Sequence, residues 1–234
     1  MKTPADIIAG ALKEGRSALL EHEAKDIVRA QGITVPRSEL AGPDDHQAIL
    51  AAAEKLGFPV ALKAVSAEIL HKTDSGAVML NIGNSAALAA SIPAMKNMIA
   101  ARTPGAVIRF FLLEKMMPTG LELLIGGLRD AQFGPSVCFG LGGIWVEALQ
   151  DAVFGILPMT RQELLKMIAE TKAGAFIQGF RGSPPLDREA ALSTINAVSS
   201  LLTNHPEIVE IDLNPVRLYA RSAVALDARI VLRR

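Results

Sequence analysis

Three stretches of the chain carry residue types that do chemistry. The first spans residues 57–81, GFPVALKAVSAEILHKTDSGAVMLN. Lys63 interrupts an apolar run over 58–65, and a loop holding Ser66, Glu68, His71, Lys72, Thr73, Asp74, Ser75 and Gly76 leads into a second apolar run over 77–80. A lysine in an apolar strand beside such a loop suits a phosphate site: the ammonium neutralises phosphate oxygens while the loop covers the reacting group. The same residues also fit a lysine snorkelling from an edge strand above an ordinary solvent loop. The second stretch is Glu114-Lys115-Met116-Met117 at the end of an apolar run, with Glu122 opening the next one. A strand-end glutamate with backbone groups beside it can bind an adenine edge, and a second carboxylate can accept hydrogen bonds from ribose hydroxyls. Two solvated strand-end charges are the plainer alternative. The third is Glu210-Ile211-Asp212-Leu213-Asn214-Pro215, followed by Leu226-Asp227-Ala228. Period-two alternation puts Glu210, Asp212 and Asn214 on one face of a strand, and Asp227 is expected on the partner strand of a terminal hairpin. Carboxylate and amide oxygens converging from adjacent strands suit Mg²⁺. Val224, Leu226 and their apolar neighbours make this hairpin central, where unpaired oxygen carriers would be costly, so the site reading is favoured here.

The elements that must position these residues follow from periodicity and breakers. Leu20, Ala24, Ile27 and Val28 recur at helical spacing within 17–31, with Gly32 as a stop. Residues 33–36 read as extended ahead of Pro36. Asp44 or Asp45 caps a second helix that Gly57 closes, and a third runs over 85–102 with Pro93 expected to break or restart it. Strands are expected over 106–116, 121–128, 136–139 and 154–157. Gly140-Leu141-Gly142-Gly143 permits close backbone approach to a ligand or a tight bend. Thr160 and Asp187 cap two further helices, and β-rich runs over 208–218 and 223–232 end the chain. The pattern is α/β, with two α+β lobes at 1–105 and 106–234 and a cleft between them.

Composition excludes several classes. Among 234 residues, Lys+Arg and Asp+Glu balance at 24 each, which gives no footprint for nucleic acid. One Trp and one Tyr argue against base-stacking platforms. The lone Cys138 excludes an internal disulfide and a CxxC metal pair, and reads as a small core residue. GxxxxGK[ST], GxGxxG and HExxH are all absent, although His22-Glu23 begins the last. The N-terminus lacks a long apolar core and no uncharged run reaches membrane-spanning length, so neither a signal peptide nor a membrane span is expected, and the location reads as cytoplasmic.

Taken together, EAKDIVRAQGITVP, GFPVALKAVSAEILHKTDSGAVMLNI, RDAQFGPSVCFGLGGIWVEAL and PEIVEIDLNPV…AVALDARIVL resemble the β subunit of ADP-forming acyl-CoA synthetases, ATP-grasp relatives of succinyl-CoA synthetase. The resemblance runs from about residue 21 to 232. It implies an ATP-grasp fold with the nucleotide held between two lobes. Lys63 matches the lysine on nucleotide phosphates, Glu114 and the backbone of Met116 and Met117 match the adenine hinge, and Glu122 matches the ribose carboxylate. Asn214 and Asp227 match Mg²⁺ ligands. Asp212 matches an acidic residue that holds a phosphohistidine, and His71 a histidine phosphorylated transiently within the β subunit. ATP/ADP and Mg²⁺ are the implied cofactors. The chain carries no CoA-binding Rossmann half and no second histidine loop, so the resemblance implies an α subunit supplying both, in an α2β2 assembly. An ATP-grasp ligase of another substrate class and a non-catalytic nucleotide-sensing module are the rival readings.

Overall fold

The computed structural model describes residues 2–69, 72, 74–143 and 149–233; His71 and Glu147 lie outside the described residues. The chain divides into two compact units, one made of residues 36–118 and the other of residues 1–35 together with 119–234. This differs from the expected split at residue 105, for reasons that lie in the strand pairing.

In the smaller unit, β1 (Ser38–Ala41), α3 (His46–Leu56), β2 (Val60–Val65), β3 (Val78–Ile82), α4 (Ser85–Arg102) and β4 (Phe110–Lys115) build an antiparallel sheet in the order β1-β4-β2-β3. β4 is an inner strand, flanked by β1 and β2, so residues 106–118 cannot leave this unit without dismantling its sheet. Val60, Leu62 and Ala64 of β2 and Phe111 and Leu113 of β4 face α3 and α4 and form one apolar core. The alternate residues, including Lys63 and Glu114, therefore belong to the opposite face.

The helix α4 is continuous through Pro93, against the expected break. Proline removes one intrahelical bond and crowds the preceding turn. The buried stripe Leu88, Ile92, Met95 and Ile99 outweighs that local cost, because all four side chains pack into the core of the sheet.

The larger unit begins with α1 (Pro4–Lys13) and α2 (Glu21–Ala30). The helix α1 was not anticipated, although Thr3, Pro4 and Asp6 form an N-terminal capping box with proline in the first turn. Then follow β5 (Leu121–Asp130), β6 (Gly134–Leu141), β7 (Val153–Ile156), α5 (Arg161–Ala169), α6 (Lys172–Ile177), α7 (Arg188–Asn204), β8 (Ile208–Leu218), β9 (Ala223–Ala225) and β10 (Arg229–Leu232). Their sheet runs β10-β8-β5-β6-β7, with β9 also pairing β8. Residues 1–35 join this unit because the backbone ties them to its last strands. Leu19 N–H donates to Ile230 O at 3.0 Å, Leu232 N–H to Ser17 O at 2.8 Å and Ala225 N–H to Thr34 O at 2.9 Å. Ile8, Ala11, Ala24, Ile27 and Val28 pack with Ile125, Phe139, Ile195, Val198, Ile211 and Leu213 in a single core.

Candidate functional site

Within the smaller unit, β2 and β4 bring Lys63 and Glu114 together. Ala61 pairs with Glu114 and Lys63 with Leu112, so the two charged side chains sit diagonally on one face of adjacent strands. Lys63 Nζ lies 2.8 Å from Glu114 Oε2, with the side chains 7% and 3% exposed. That burial rules out a lysine snorkelling from an edge strand: Lys63 sits on an inner strand beside a carboxylate. At the end of β4, Lys115 Nζ donates to Gly57 O at 2.6 Å and Met116 N–H reaches Pro59 O at 3.3 Å. With its N–H committed, what Met116 can offer an adenine edge is its carbonyl. Met117 follows at the end of this unit.

Within the larger unit the site is organised by an irregularity in β8. Leu123 pairs with Val216 and Ile125 with Leu213, so one extra residue of β8 lies between those pairs, at Asn214-Pro215. Such a bulge re-aims side chains, and a proline is tolerated there because no ladder N–H is needed. The inward phase shifts across it: Ile211 and Leu213 are buried before it, Val216 and Leu218 after it. The Asn214-Pro215 peptide is cis.

On the other edge of β8 the ladder also lapses. Asp227 is not on a partner strand, as the period-two reading expected, but in the break between β9 and β10. The apolar run over 223–232 hid that break. Register nevertheless makes the two candidate metal ligands face one another. Val216 pairs with Ala225 and Asp212 with Arg229, so two residues inward from either pair lead to Asn214 opposite Asp227. Leu226 N–H donates to Pro215 O at 2.9 Å and closes the break.

The glycine run expected near the end of β6 supplies the third side of the site. Gly143 N–H donates to Asn214 Oδ1 at 2.9 Å, and Gly142 N–H to Glu122 O at 2.8 Å. Gly143 has φ +61°, and a Cβ there would fall 2.0 Å from Glu122 Oε2, so this backbone approaches the carboxylate more closely than any side chain would permit. Glu122 in turn accepts from Arg217 Nη2 at 2.6 Å. Arg217 was missed by the sequence reading. It lies opposite Glu122 in the ladder, and only the bulge puts it in phase with that carboxylate.

Asp212 lies two strand positions from Asn214 and is paired across the sheet with Gly126, which is paired in turn with Cys138. Burial pushes the Cys138 thiol up to about 11, and the nearby Asp212 and Glu210 carboxylates add to it. Cys138 is thus a protonated, half-buried residue beside an acidic row, outside the core that its neighbours Val137 and Phe139 join and not the core residue expected.

The oxygen set fits a magnesium ion. Among the described residues no three His, Cys, Asp or Glu side chains gather as a self-sufficient metal cage. An amide oxygen and a carboxylate at facing positions suit Mg²⁺, which keeps waters in its shell and takes further oxygens from substrate phosphates. Lys63, Glu114, Met116 and Met117 thus belong to one unit, and Glu122, Asp212, Asn214 and Asp227 to the other.

A family model described as an ATP-grasp domain matches residues 10–232. The β subunit of the ADP-forming acetate–CoA ligase I of Pyrococcus furiosus is 40% identical over 227 residues, covering 97% of both chains. Among solved structures, acetyl-coenzyme A synthetase 1 of Ca. Korarchaeum cryptofilum, in complex with coenzyme A, Ca-AMPCP and HgCl⁺, superposes with a TM-score of 0.93 at 38% identity, covering 99% of this chain and 100% of the other. A second structure of that enzyme, with coenzyme A and Mg-AMPPCP, has its phosphohistidine segment pointing towards the nucleotide binding site; it matches with a TM-score of 0.83 at 36% identity, covering 99% and 100%. The chain belongs to the ATP-grasp family and, within it, to the β subunits of ADP-forming acetate–CoA ligases.

Proposed function

We propose that this chain is the nucleotide-binding subunit of an ADP-forming acyl-CoA synthetase, working in the cytoplasm with an α-type chain that carries the CoA-binding domain and a phosphohistidine loop, as α2β2. The reaction is acyl-CoA + ADP + phosphate ⇌ carboxylate + CoA + ATP. The observation that carries the reading is the constellation at the β8 bulge. There Glu122, Arg217, Gly143 and Asn214 are tied by contacts of 2.6 and 2.9 Å, in a chain 40% identical to a ligase β subunit along nearly its whole length.

In this reading Glu122, oriented by Arg217, accepts hydrogen bonds from the ribose hydroxyls. A guanidinium behind a carboxylate fixes its orientation. Glu114 and the backbone of Met116 and Met117 form the adenine hinge. Glu114 also holds Lys63 at 2.8 Å, which aims the buried ammonium at nucleotide phosphates. Asn214 and Asp227 would hold Mg²⁺, whose charge offsets the repulsion between the nucleotide phosphates and an incoming phosphoryl group.

We assign the phosphoryl relay to His71, with Asp212 holding the phosphohistidine near the nucleotide. Neutral imidazole offers a ring nitrogen lone pair at pH 7. As the terminal oxygen of ADP forms its O–P bond, the N–P bond of phosphohistidine breaks, and the electron pair returns to the ring. In the reverse direction the same nitrogen attacks the γ-phosphorus of ATP and ADP leaves.

The test is a phosphorylation assay on the full-length chain. Wild type and His71→Ala are incubated with γ-labelled ATP and Mg²⁺, and protein-bound label is challenged with acid and base. Acid-labile, base-stable label on wild type and none on the variant is the expected result. Nucleotide binding without label on either would remove His71 from the mechanism and leave the ATP-grasp site in place.

A further inference from the structure

Lys25 is buried to 1% exposure, a rare state for an ammonium group, and stands among the largest fully buried side chains of the protein. Its Nζ lies 2.8 Å from Glu21 Oε1, one helical turn earlier on α2, with the two side chains 2% and 1% exposed. It also donates to Leu226 O at 2.8 Å, across 201 residues of sequence. A buried ion pair gives little net stability relative to apolar residues of the same volume, so its presence draws attention to what it holds in place.

Leu226 opens the break between β9 and β10, where the ladder to β8 lapses, and Asp227 is the next residue. Both backbone groups of Leu226 are taken by other elements: the N–H by Pro215 at the β8 bulge, 2.9 Å away, and the carbonyl by Lys25 of α2. Asp227 therefore leaves a peptide that is clamped from two directions, while Asn214 opposite it is held by Gly143 N–H at 2.9 Å. Both candidate oxygen donors have their neighbouring backbone or side chain fixed from outside the strand pair that carries them.

We propose that the buried Lys25–Glu21 pair is a positioning device for the metal–nucleotide site: through the Leu226 carbonyl it sets where the Asp227 carboxylate stands relative to Asn214. Lys25 acts here as a positioning residue through the Leu226 carbonyl, and Glu21 directs its ammonium. The inference rests on the reading of Asn214 and Asp227 as ligands of the nucleotide-bound cation.

The test measures ADP affinity of the full-length protein by calorimetry, once with Mg²⁺ and once with excess EDTA, and takes the ratio. The double variant Glu21→Gln/Lys25→Met removes both charges, so neither is left buried alone. It is expected to lose about tenfold or more of the Mg²⁺-supported affinity, the usual cost of loosening the outer support of a metal site, with the affinity in EDTA unchanged. Ile27→Val, a conservative core change on the same helix, is expected to leave the ratio alone; an equal drop in that variant would overturn the proposal. A folded double variant with the wild-type ratio would overturn it as well. The milder Lys25→Arg keeps the pair with Glu21 but presents its donors from a planar fork. It reads the contact if the double variant does not fold, with a several-fold fall in the ratio expected and no change refuting the idea. Wild-type protein whose ADP affinity ignores Mg²⁺ would remove the underlying metal reading instead, and this proposal with it.

Discussion

Gly143 joins both halves of the candidate site within the larger unit, and replacing it by alanine separates backbone cost from ligand cost. The residue sits at φ +61°, where an L side chain costs about 1–2 kcal/mol. The new Cβ would stand 2.0 Å from Glu122 Oε2, well inside the 3.0 Å that real Cβ atoms keep, so the carboxylate must rotate away by an ångström or so. That rotation pulls the other oxygen off Arg217, a contact of 2.6 Å. Glu122 can swing into solvent, so the loss of stability stays near the backbone figure. At about 1–2 kcal/mol it lowers the thermal midpoint by about 2–8 °C. Binding suffers more, because a displaced ribose carboxylate forfeits a charge-assisted hydrogen bond worth about 1.5–3 kcal/mol. The expected result is an ADP affinity reduced by about tenfold to a hundredfold, at about 1.4 kcal/mol per factor of ten. Calorimetric titration of the full-length protein measures it, with a thermal melt on the same sample. A Gly143→Ala protein that melts a few degrees lower yet binds ADP as wild type does would refute the placement of Glu122 and the Gly143 backbone at the nucleotide.

Two further perturbations probe the remaining parts. Lys63→Met leaves Glu114 buried at 3% exposure without its cation, so it should cost about 3–5 kcal/mol of stability and abolish measurable ADP binding. Lys63→Met/Glu114→Gln should recover most of the stability and none of the binding, read by denaturant unfolding and calorimetry on both. The Cys138 thiol, pushed up to about 11 by burial and by Asp212, is favoured in its neutral form by the fold. Its contribution to stability is therefore fully present below the ordinary thiol value of 9.0 and is lost as pH rises through about 11. Unfolding free energies from pH 8 to 11 should fall more steeply in wild type than in Cys138→Ala. Parallel curves would mean that Asp212 and the apolar strands do not act on this thiol.

Much of the architecture was legible because the signals were local. Asp45, Thr160 and Asp187 each cap a helix through a side-chain oxygen, and Gly57 closes α3, all as their positions in the sequence suggested. The β-rich run over 208–218 coincides with β8, Ile208–Leu218. Short-range signals failed where a long-range contact decided. Pro93 lies within α4 because four buried side chains hold that helix to a sheet, and no nearest-neighbour rule contains that term. The first 35 residues belong with the end of the chain because Ser17, Leu19 and Thr34 exchange backbone hydrogen bonds with strands about 200 positions later.

The candidate site divides in the same way. Residue type and order were enough to single out Lys63, Glu114, Glu122, Asp212, Asn214 and Asp227, since carboxylates, amides and a lysine inside apolar strands are costly unless they are used. Their phase and register within each unit came from the tertiary structure. Alternation alone put Asn214 in line with Glu210 and Asp212, but the bulge at Asn214-Pro215 changes the phase of β8, so that Arg217 meets Glu122. A run of apolar letters around Asp227 reads as one strand, yet it is two, and the register across their break sets Asp227 opposite Asn214. Lys25 and Glu21 read as two more charges on an amphipathic helix, until the packing of α2 against the last strands buries them behind Leu226. The sequence by itself determined which side chains could do chemistry and which elements carry them. Phase, register and burial belong to pairs of distant segments, so the folded chain alone decided them.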